Sequence, residues 1–199
     1  MTDECKRIDK AKRRSEYRRD PLNYLDVQKR LEIPKLFLNA HTRDFKAINT
    51  WPVYQRSIFV RGEDTGTGKT HYAVAGFTKW FIDNDVEYSD VIFMNVANLM
   101  LELRESFKVK KKSEAEIVKR LSNTKFLVLD DFGAEKMTEY SLASLYIIIN
   151  DRSAELRPTI VTTNLQLEEI HNVDPRLASR FSAYEQVYLM GKDRRIGEK

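Results

Sequence analysis

The chain has 199 residues, 42% hydrophobic and 32% charged, with a formal net charge of +4, a balance that suits one α/β domain with an extra arm. No apolar run approaches the roughly 18 residues that a membrane span needs, and the N-terminus is charged rather than signal-like. The single cysteine, Cys5, excludes an internal disulfide and a cysteine-based zinc site, and His41, His71 and His171 are too scattered to ligate a metal, so the cytoplasm is the expected compartment.

Residues 1–20 hold eight Lys and Arg against five Asp and Glu, which leaves the rest of the chain nearly neutral. Such an arm can contact nucleic acid through counterion release or form a solvated, helical or disordered stretch. Pro21 breaks the pattern. Leu22, Leu25 and Leu31 then mark a short helix over residues 22–31, with Val27 off its apolar stripe. Pro34 interrupts it. Residues 35–56 include Leu36, Phe37, Leu38, Phe45, Ile48, Trp51 and Val53, too apolar for a free linker, and are expected to pack on the core.

Ile58-Phe59-Val60-Arg61 then leads into Gly62-Glu63-Asp64-Thr65-Gly66-Thr67-Gly68-Lys69-Thr70, and an amphipathic stretch over residues 70–81 follows. Strand, glycine-rich turn and helix in this order form a phosphate-binding P-loop. The glycines let consecutive backbone N–H groups curl around an anion, and the helix points its positive end at it. Gly62, Asp64, Thr65, Gly66, Thr67, Gly68, Lys69, Thr70 and His71 are therefore the candidate phosphate-binding residues. Lys69 is placed to reach the β- and γ-phosphates, and the Thr70 hydroxyl to ligate Mg²⁺. Glu63 stands where the first P-loop glycine belongs, with Gly62 one position early. The loop is thus expected to be a residue longer there, or to turn the Glu63 and Asp64 carboxylates outward.

Val91-Ile92-Phe93-Met94 reads as a buried parallel strand. Asn95 can cap a helix over residues 96–107 that carries Leu99, Met100 and Leu103 on one face. The basic loop Lys108-Val109-Lys110-Lys111-Lys112 precedes Ser113-Glu114-Ala115-Glu116, a capping-box signature that opens a second helix to about residue 121. Phe126 to Leu129 is a third strand, ending in Asp130-Asp131. In a P-loop fold such a strand places its carboxylates beside the phosphates. Asp130 is placed to hold Mg²⁺, and Asp131 to orient or deprotonate the attacking water. Residues 139–151 read as a helix and 158–163 as a fourth strand. Its tip, Asn164, can hydrogen-bond the γ-phosphate or the attacking water, or be an ordinary turn asparagine. Asp174-Pro175 is a cap and first-position proline for a helix over residues 176–181, where Arg176 and Arg180 share a face. Such a pair suits an arginine finger aimed at a neighbour's γ-phosphate, or is a surface pair of little consequence. Residues 187–190 are the expected last strand. Strands alternating with helices mean a parallel, doubly wound sheet.

These motifs in this order resemble the AAA+ ATPases, and more narrowly the DnaC/DnaI-type helicase loaders and the related IstB transposition ATPases. The resemblance runs over residues 33–198. It rests on Gly66-Thr67-Gly68-Lys69-Thr70-His71, Leu129-Asp130-Asp131-Phe132-Gly133-Ala134-Glu135, Thr162-Thr163-Asn164, Arg176-Leu177-Ala178-Ser179-Arg180-Phe181 and Gly191-Lys192-Asp193-Arg194-Arg195. The Asp-Asp-Phe-Gly-Ala-Glu run is the most discriminating, and Ile33-Pro34-Lys35-Leu36-Phe37-Leu38-Asn39-Ala40 looks like the segment such loaders carry before the ATPase core.

The resemblance implies a P-loop AAA+ domain over residues 33–199, with a five-stranded parallel sheet flanked by helices and no C-terminal lid, preceded by a basic arm over residues 1–32. It implies that Asn164 is the sensor-1 residue and Arg180 the arginine finger, with Arg176 beside it. The two helices between residues 96 and 121 match an insertion that lines a single-stranded DNA channel, which makes Lys108, Lys110, Lys111 and Lys112 candidate phosphate contacts; a lysine loop can equally be merely solvated. ATP with Mg²⁺, a homo-oligomer closed through the ATP site, single-stranded DNA and a hexameric replicative helicase follow as expected cofactors and partners, and turnover is expected to be slow without DNA or partner. The IstB-like alternative exchanges them for duplex DNA and a transposase. No membrane partner is expected. A small-molecule P-loop kinase would need a lid and an acceptor pocket, and a nucleotide-binding adaptor without hydrolysis is left open by Glu63 in the P-loop.

Overall fold

A computed structural model describes residues 21–45, 56–62, 64–84, 86–108, 113–135 and 137–190. The basic arm over residues 1–20, Ile48, Trp51 and Val53, Glu63, Lys110, Lys111 and Lys112, and the run from Gly191 to Arg195 lie outside the described residues.

Five strands, β1 (Ile58–Arg61), β2 (Val91–Asn95), β3 (Phe126–Phe132), β4 (Thr159–Thr163) and β5 (Glu185–Tyr188), form one all-parallel sheet in the order β2-β3-β4-β1-β5. Parallel pairing needs crossover connections, and here they are helices that cover both faces. Successive strand residues point to opposite faces, so each strand feeds two cores. Ile58, Val60, Phe126, Val128 and Ile160 pack beneath helices α1 (Pro21–Arg30) and α2 (Lys69–Asp83). Phe59, Leu127, Leu129 and Val161 pack beneath α3 (Val96–Lys108), α4 (Glu114–Asn123), α5 (Glu139–Ala154), α6 (Leu167–Val173) and α7 (Pro175–Ser182). The expected five-stranded parallel sheet flanked by helices is what forms, and among the described residues no element follows β5.

Local signals set most helix starts. Asn95 Oδ1 accepts from Ala97 N at 3.0 Å, Ser113 Oγ from Glu116 N at 3.3 Å, and Asp174 Oδ1 from Arg176 N at 2.9 Å. Each acceptor satisfies an N–H that the helix itself leaves without a partner.

Four readings need correction. Helix α1 begins at Pro21, one residue before the expected start, and the face buried here is Tyr24, Val27, Gln28 and Leu31, with Val27 wholly buried. Aliphatic periodicity alone misses this face because half of it is polar. The Tyr24 hydroxyl donates to Ala75 O at 3.2 Å, and the Gln28 amide donates to Ala40 O at 2.8 Å while accepting from Asn39 N at 2.8 Å. Helix α1 therefore shares its core with α2. Strand β3 runs on through Phe132 instead of stopping at Leu129, with a register irregularity between those residues. Helix α6 has no counterpart in the sequence reading. Strand β5 starts two residues earlier than expected: Glu185, Gln186 and Tyr188 are exposed, so its position follows from pairing with β1 rather than from an apolar run.

The edge of the sheet remote from the P-loop is tied by Arg152, a fully buried guanidinium. Its Nε donates to Thr159 Oγ1 at 2.8 Å, Nη1 to Leu121 O and Thr124 O at 2.8 and 2.7 Å, and Nη2 to Pro158 O at 2.7 Å. The end of α4, the start of β4 and α5 thus meet on one side chain, whose pKa burial pulls down to about 9. Arg152→Ala leaves the buried Leu121 and Thr124 carbonyls without a donor, while Pro158 O keeps only the N–H of Leu127, and is expected to cost about 3 kcal/mol or more in urea unfolding. Arg152→Lys should recover little of this, because an ammonium cannot span all four acceptors.

Candidate functional site

The turn after β1 reverses through two left-handed glycines, Gly66 at φ 76° and Gly68 at φ 96°, the second being the N-cap of α2. Both positions require φ > 0, which glycine adopts without strain. Lys69 opens α2, and its Nζ donates to Asp64 O at 2.8 Å, Thr67 Oγ1 at 3.2 Å and Gly62 O at 3.4 Å. The main-chain oxygen of Asp64 faces the ammonium, while Asp64 and Thr65 are themselves exposed. The first-turn N–H groups of α2 have no intrahelical acceptor, and with Lys69 they make this turn a cradle for an anion. Gly62 serves a different need: a Cβ there would lie 2.6 Å from Leu189 O and 3.0 Å from Thr67 Oγ1. It is the place where the loop presses against the chain leaving β5, held by Leu189 N donating to Arg61 O at 2.8 Å.

Beside the cradle sits Asp130, 5% exposed at the end of β3. Its Oδ2 accepts from Thr70 Oγ1 at 3.3 Å and its Oδ1 from Thr162 Oγ1 at 2.7 Å. Burial raises the Asp130 pKa, an effect that the two hydroxyls and Lys69 oppose and nearby Asp131 reinforces. A hydroxyl and a carboxylate oxygen at this separation have the hard-oxygen chemistry that suits a single divalent cation, so the residues present fit Mg²⁺. Asp131 adopts φ 62°, a conformation that costs about 1 kcal/mol or more for a residue with a side chain. Its N–H donates to Thr162 Oγ1 at 2.9 Å. Thr162 therefore bridges both aspartates. The sequence pattern assigns Thr162 no role of its own; the signal for one is a pair of hydroxyl residues, Thr162 and Thr163, at the strand tip.

Asn164 follows directly, its Oδ1 buried without a hydrogen-bond partner. His71 meets the edge of Phe37 at 5.2 Å between ring centres. Hydrogen bonds thus join Thr70, Asp130, Asp131 and Thr162, with Lys69 and Thr67 bonded to each other in the adjoining turn and the Lys69 charge acting on Asp130. Arg176 and Arg180 are not part of that cluster; they lie on α7. Arg176 forms a two-point pair with Asp174, at 3.1 and 2.7 Å, and stacks over Tyr146 at 4.6 Å. Arg180 Nη2 donates to Asn150 Oδ1 at 2.7 Å, and its buried Nε has no acceptor. Lys108 ends α3, while Lys110, Lys111 and Lys112 lie outside the described residues. Among the described residues no helix is long and apolar enough to cross a membrane.

The family model described as IstB-like ATP binding protein matches residues 45–181. The replicative helicase loader DnaC of Escherichia coli (strain K12) is 30% identical over 112 residues, which cover 56% of this chain and 44% of that protein. The chain therefore spans less than half the length of that relative. A solved structure of DnaI is similar at a TM-score of 0.62 and 19% identity, over 79% of this chain and 95% of that one. The AMPPCP-bound structure of DnaA from Aquifex aeolicus is similar at 0.61 and 21% identity, over 75% of this chain and 44% of that one. At these identities the likeness establishes the fold, that of the P-loop AAA+ proteins.

Because the atom opposing a side chain at position 62 is backbone, Gly62→Ala is expected to destabilise the protein by about 1–3 kcal/mol. A thermal melt without nucleotide measures this; an unchanged midpoint would mean that the Leu189 backbone moves aside freely.

Proposed function

The chain belongs to the IstB-like ATP binding protein family, and from that premise we propose that it is a cytoplasmic, oligomeric ATPase that loads a hexameric replicative helicase onto single-stranded DNA. The observation that carries the reading is the cluster in which Thr70 and Thr162 hold the buried Asp130 carboxylate beside Lys69. A buried carboxylate facing a P-loop lysine and threonine has little structural use without a metal-bound nucleotide.

In this reading Gly62 to His71 wrap the phosphates, and Lys69 exchanges its loop carbonyls for the β- and γ-phosphate oxygens. Thr70 and Asp130 hold Mg²⁺, which when bound neutralises charge on the phosphates. Asp131 orients the attacking water and accepts its proton, and the unpartnered Asn164 amide oxygen receives a hydrogen bond from that water. Arg180 reaches the site of a neighbouring subunit. Its single contact to Asn150 leaves Nε uncommitted, whereas Asp174 takes both Nε and Nη2 of Arg176; this favours Arg180 as the finger and Arg176 as its support. Lys108, Lys110, Lys111 and Lys112 contact the phosphates of single-stranded DNA, and the arm over residues 1–32 contacts the helicase, with residues 21–31 also bracing α2. Turnover is slow until DNA or partner is present.

The second reading, a transposition ATPase acting with a transposase on duplex DNA, is favoured by the family model that matches residues 45–181. Co-purification with ATP separates the two: a stoichiometric complex with a hexameric helicase supports the first, and filaments on duplex DNA support the second.

Lys69→Ala is expected to weaken ATP binding by about 2 kcal/mol, roughly thirtyfold, in a fluorescent-nucleotide titration. Arg180→Ala should leave that affinity within about twofold while lowering turnover by about a thousandfold; unchanged turnover at saturating protein would remove the finger assignment.

A further inference from the structure

Three segments distant in sequence build the site: the end of β1, the end of β3 and the tip of β4. The Asn164 turn is braced against the other two from behind. From the β3 side, Thr163 Oγ1 donates to Phe132 O at 2.7 Å and accepts from Leu165 N at 3.0 Å. Gly133, at φ 83°, lies so close to Leu165 that any side chain there would collide with it. From the β1 side comes Arg61, the residue before Gly62 and the register partner of Thr163. Its Nη1 donates to Gln166 Oε1, and its Cζ lies 5.1 Å from the centre of the Tyr188 ring. Asn164 sits between these two braces.

Stability alone does not account for an arginine here. The other three β1 residues, Ile58, Phe59 and Val60, are apolar and wholly buried. Arg61 is half-buried, its Nε is buried without an acceptor, and no carboxylate is paired with it among the described ion pairs. An unsatisfied guanidinium nitrogen costs stability that an apolar residue at the same place would not. Local rules broken in this way concentrate at functional sites.

We propose that Arg61 and Gln166 are positioning residues: their contact locks the turn carrying Asn164 to the entry of the P-loop, so that the Asn164 amide oxygen stays aligned with the attacking water. The inference rests on the ATP-hydrolysis reading given above. Neither residue touches nucleotide. Because Arg61 is covalently joined to Gly62, the phosphate cradle and the Asn164 turn move as one body, and loss of the contact disturbs alignment rather than binding.

The full-length protein and its Arg61→Ala, Arg61→Lys, Gln166→Ala and Arg61→Ala/Gln166→Ala variants are compared for ATP turnover and fluorescent-nucleotide affinity. The expected result is a fall in kcat of about tenfold for either alanine variant with affinity within about twofold. The double variant should be no slower than the worse single one, and Arg61→Lys should recover part of the loss. Additive losses, unchanged kcat, or affinity falling in parallel with kcat would overturn the proposal. Amide hydrogen exchange over residues 163–166 decides the brace independently of turnover. Faster exchange there, with α5 unchanged, is expected for both alanine variants, and unchanged exchange refutes the brace. A wild-type protein without turnover would overturn the hydrolysis reading, while exchange would still show whether the brace exists. Should Arg61→Ala fail to fold, Gln166→Ala removes the same contact from the more tolerant side.

Discussion

The arrangement depends on one buried carboxylate. Asp130 belongs to β3, yet its two oxygens are held by Thr70 from α2 and Thr162 from β4. Removing a charge from water costs several kcal/mol unless hydrogen bonds and opposite charge replace the lost hydration. Here two hydroxyls and Lys69 offset that cost only in part, so the pKa stays above its ordinary value. A group left in this condition is poised to gain from a cation, since a divalent ion would supply the missing compensation.

The sheet puts that carboxylate where it is useful. An all-parallel sheet sends every strand out at the same edge, and the crossover helices return the chain to the other. The P-loop, the paired aspartates and Asn164 therefore leave β1, β3 and β4 side by side, although more than 100 residues separate Arg61 from Asn164 in sequence. The opposite edge carries the complementary device, Arg152, whose charge is met by carbonyl dipoles rather than by a carboxylate. At the edge that carries the P-loop, Asn164 Oδ1 and Arg61 Nε are buried without a hydrogen-bond partner.

Left-handed backbone recurs at the P-loop edge. Of the described residues with φ > 0, Gly66, Gly68, Asp131 and Gly133 lie at the candidate site, and Glu32, Asn39 and Leu156 lie away from it. Three of those at the site are glycines and bear this cheaply. Asp131 does not, and its strained backbone is held by the hydrogen bond from its N–H to Thr162.

The sequence by itself determined the fold class, the P-loop, the strand ending in Asp130-Asp131 and the capped starts of α3, α4 and α7, because these depend on local chemistry: glycines at left-handed positions, apolar runs buried on both faces, side-chain oxygens satisfying free N–H groups. It was silent or misleading where long-range contacts override local pattern. Val27 is buried because Tyr24 and Gln28 find partners on α2 and the following segment, and β5 is a strand because β1 offers an edge to pair with. Only the tertiary structure decided that Thr162 joins the two aspartates, that Arg61 meets Gln166 two residues beyond Asn164, and that Asp174 occupies Arg176 while Arg180 keeps an uncommitted nitrogen. Hydrogen bonds between residues far apart in the chain leave no periodicity to read; they exist only once the sheet has brought their strands together.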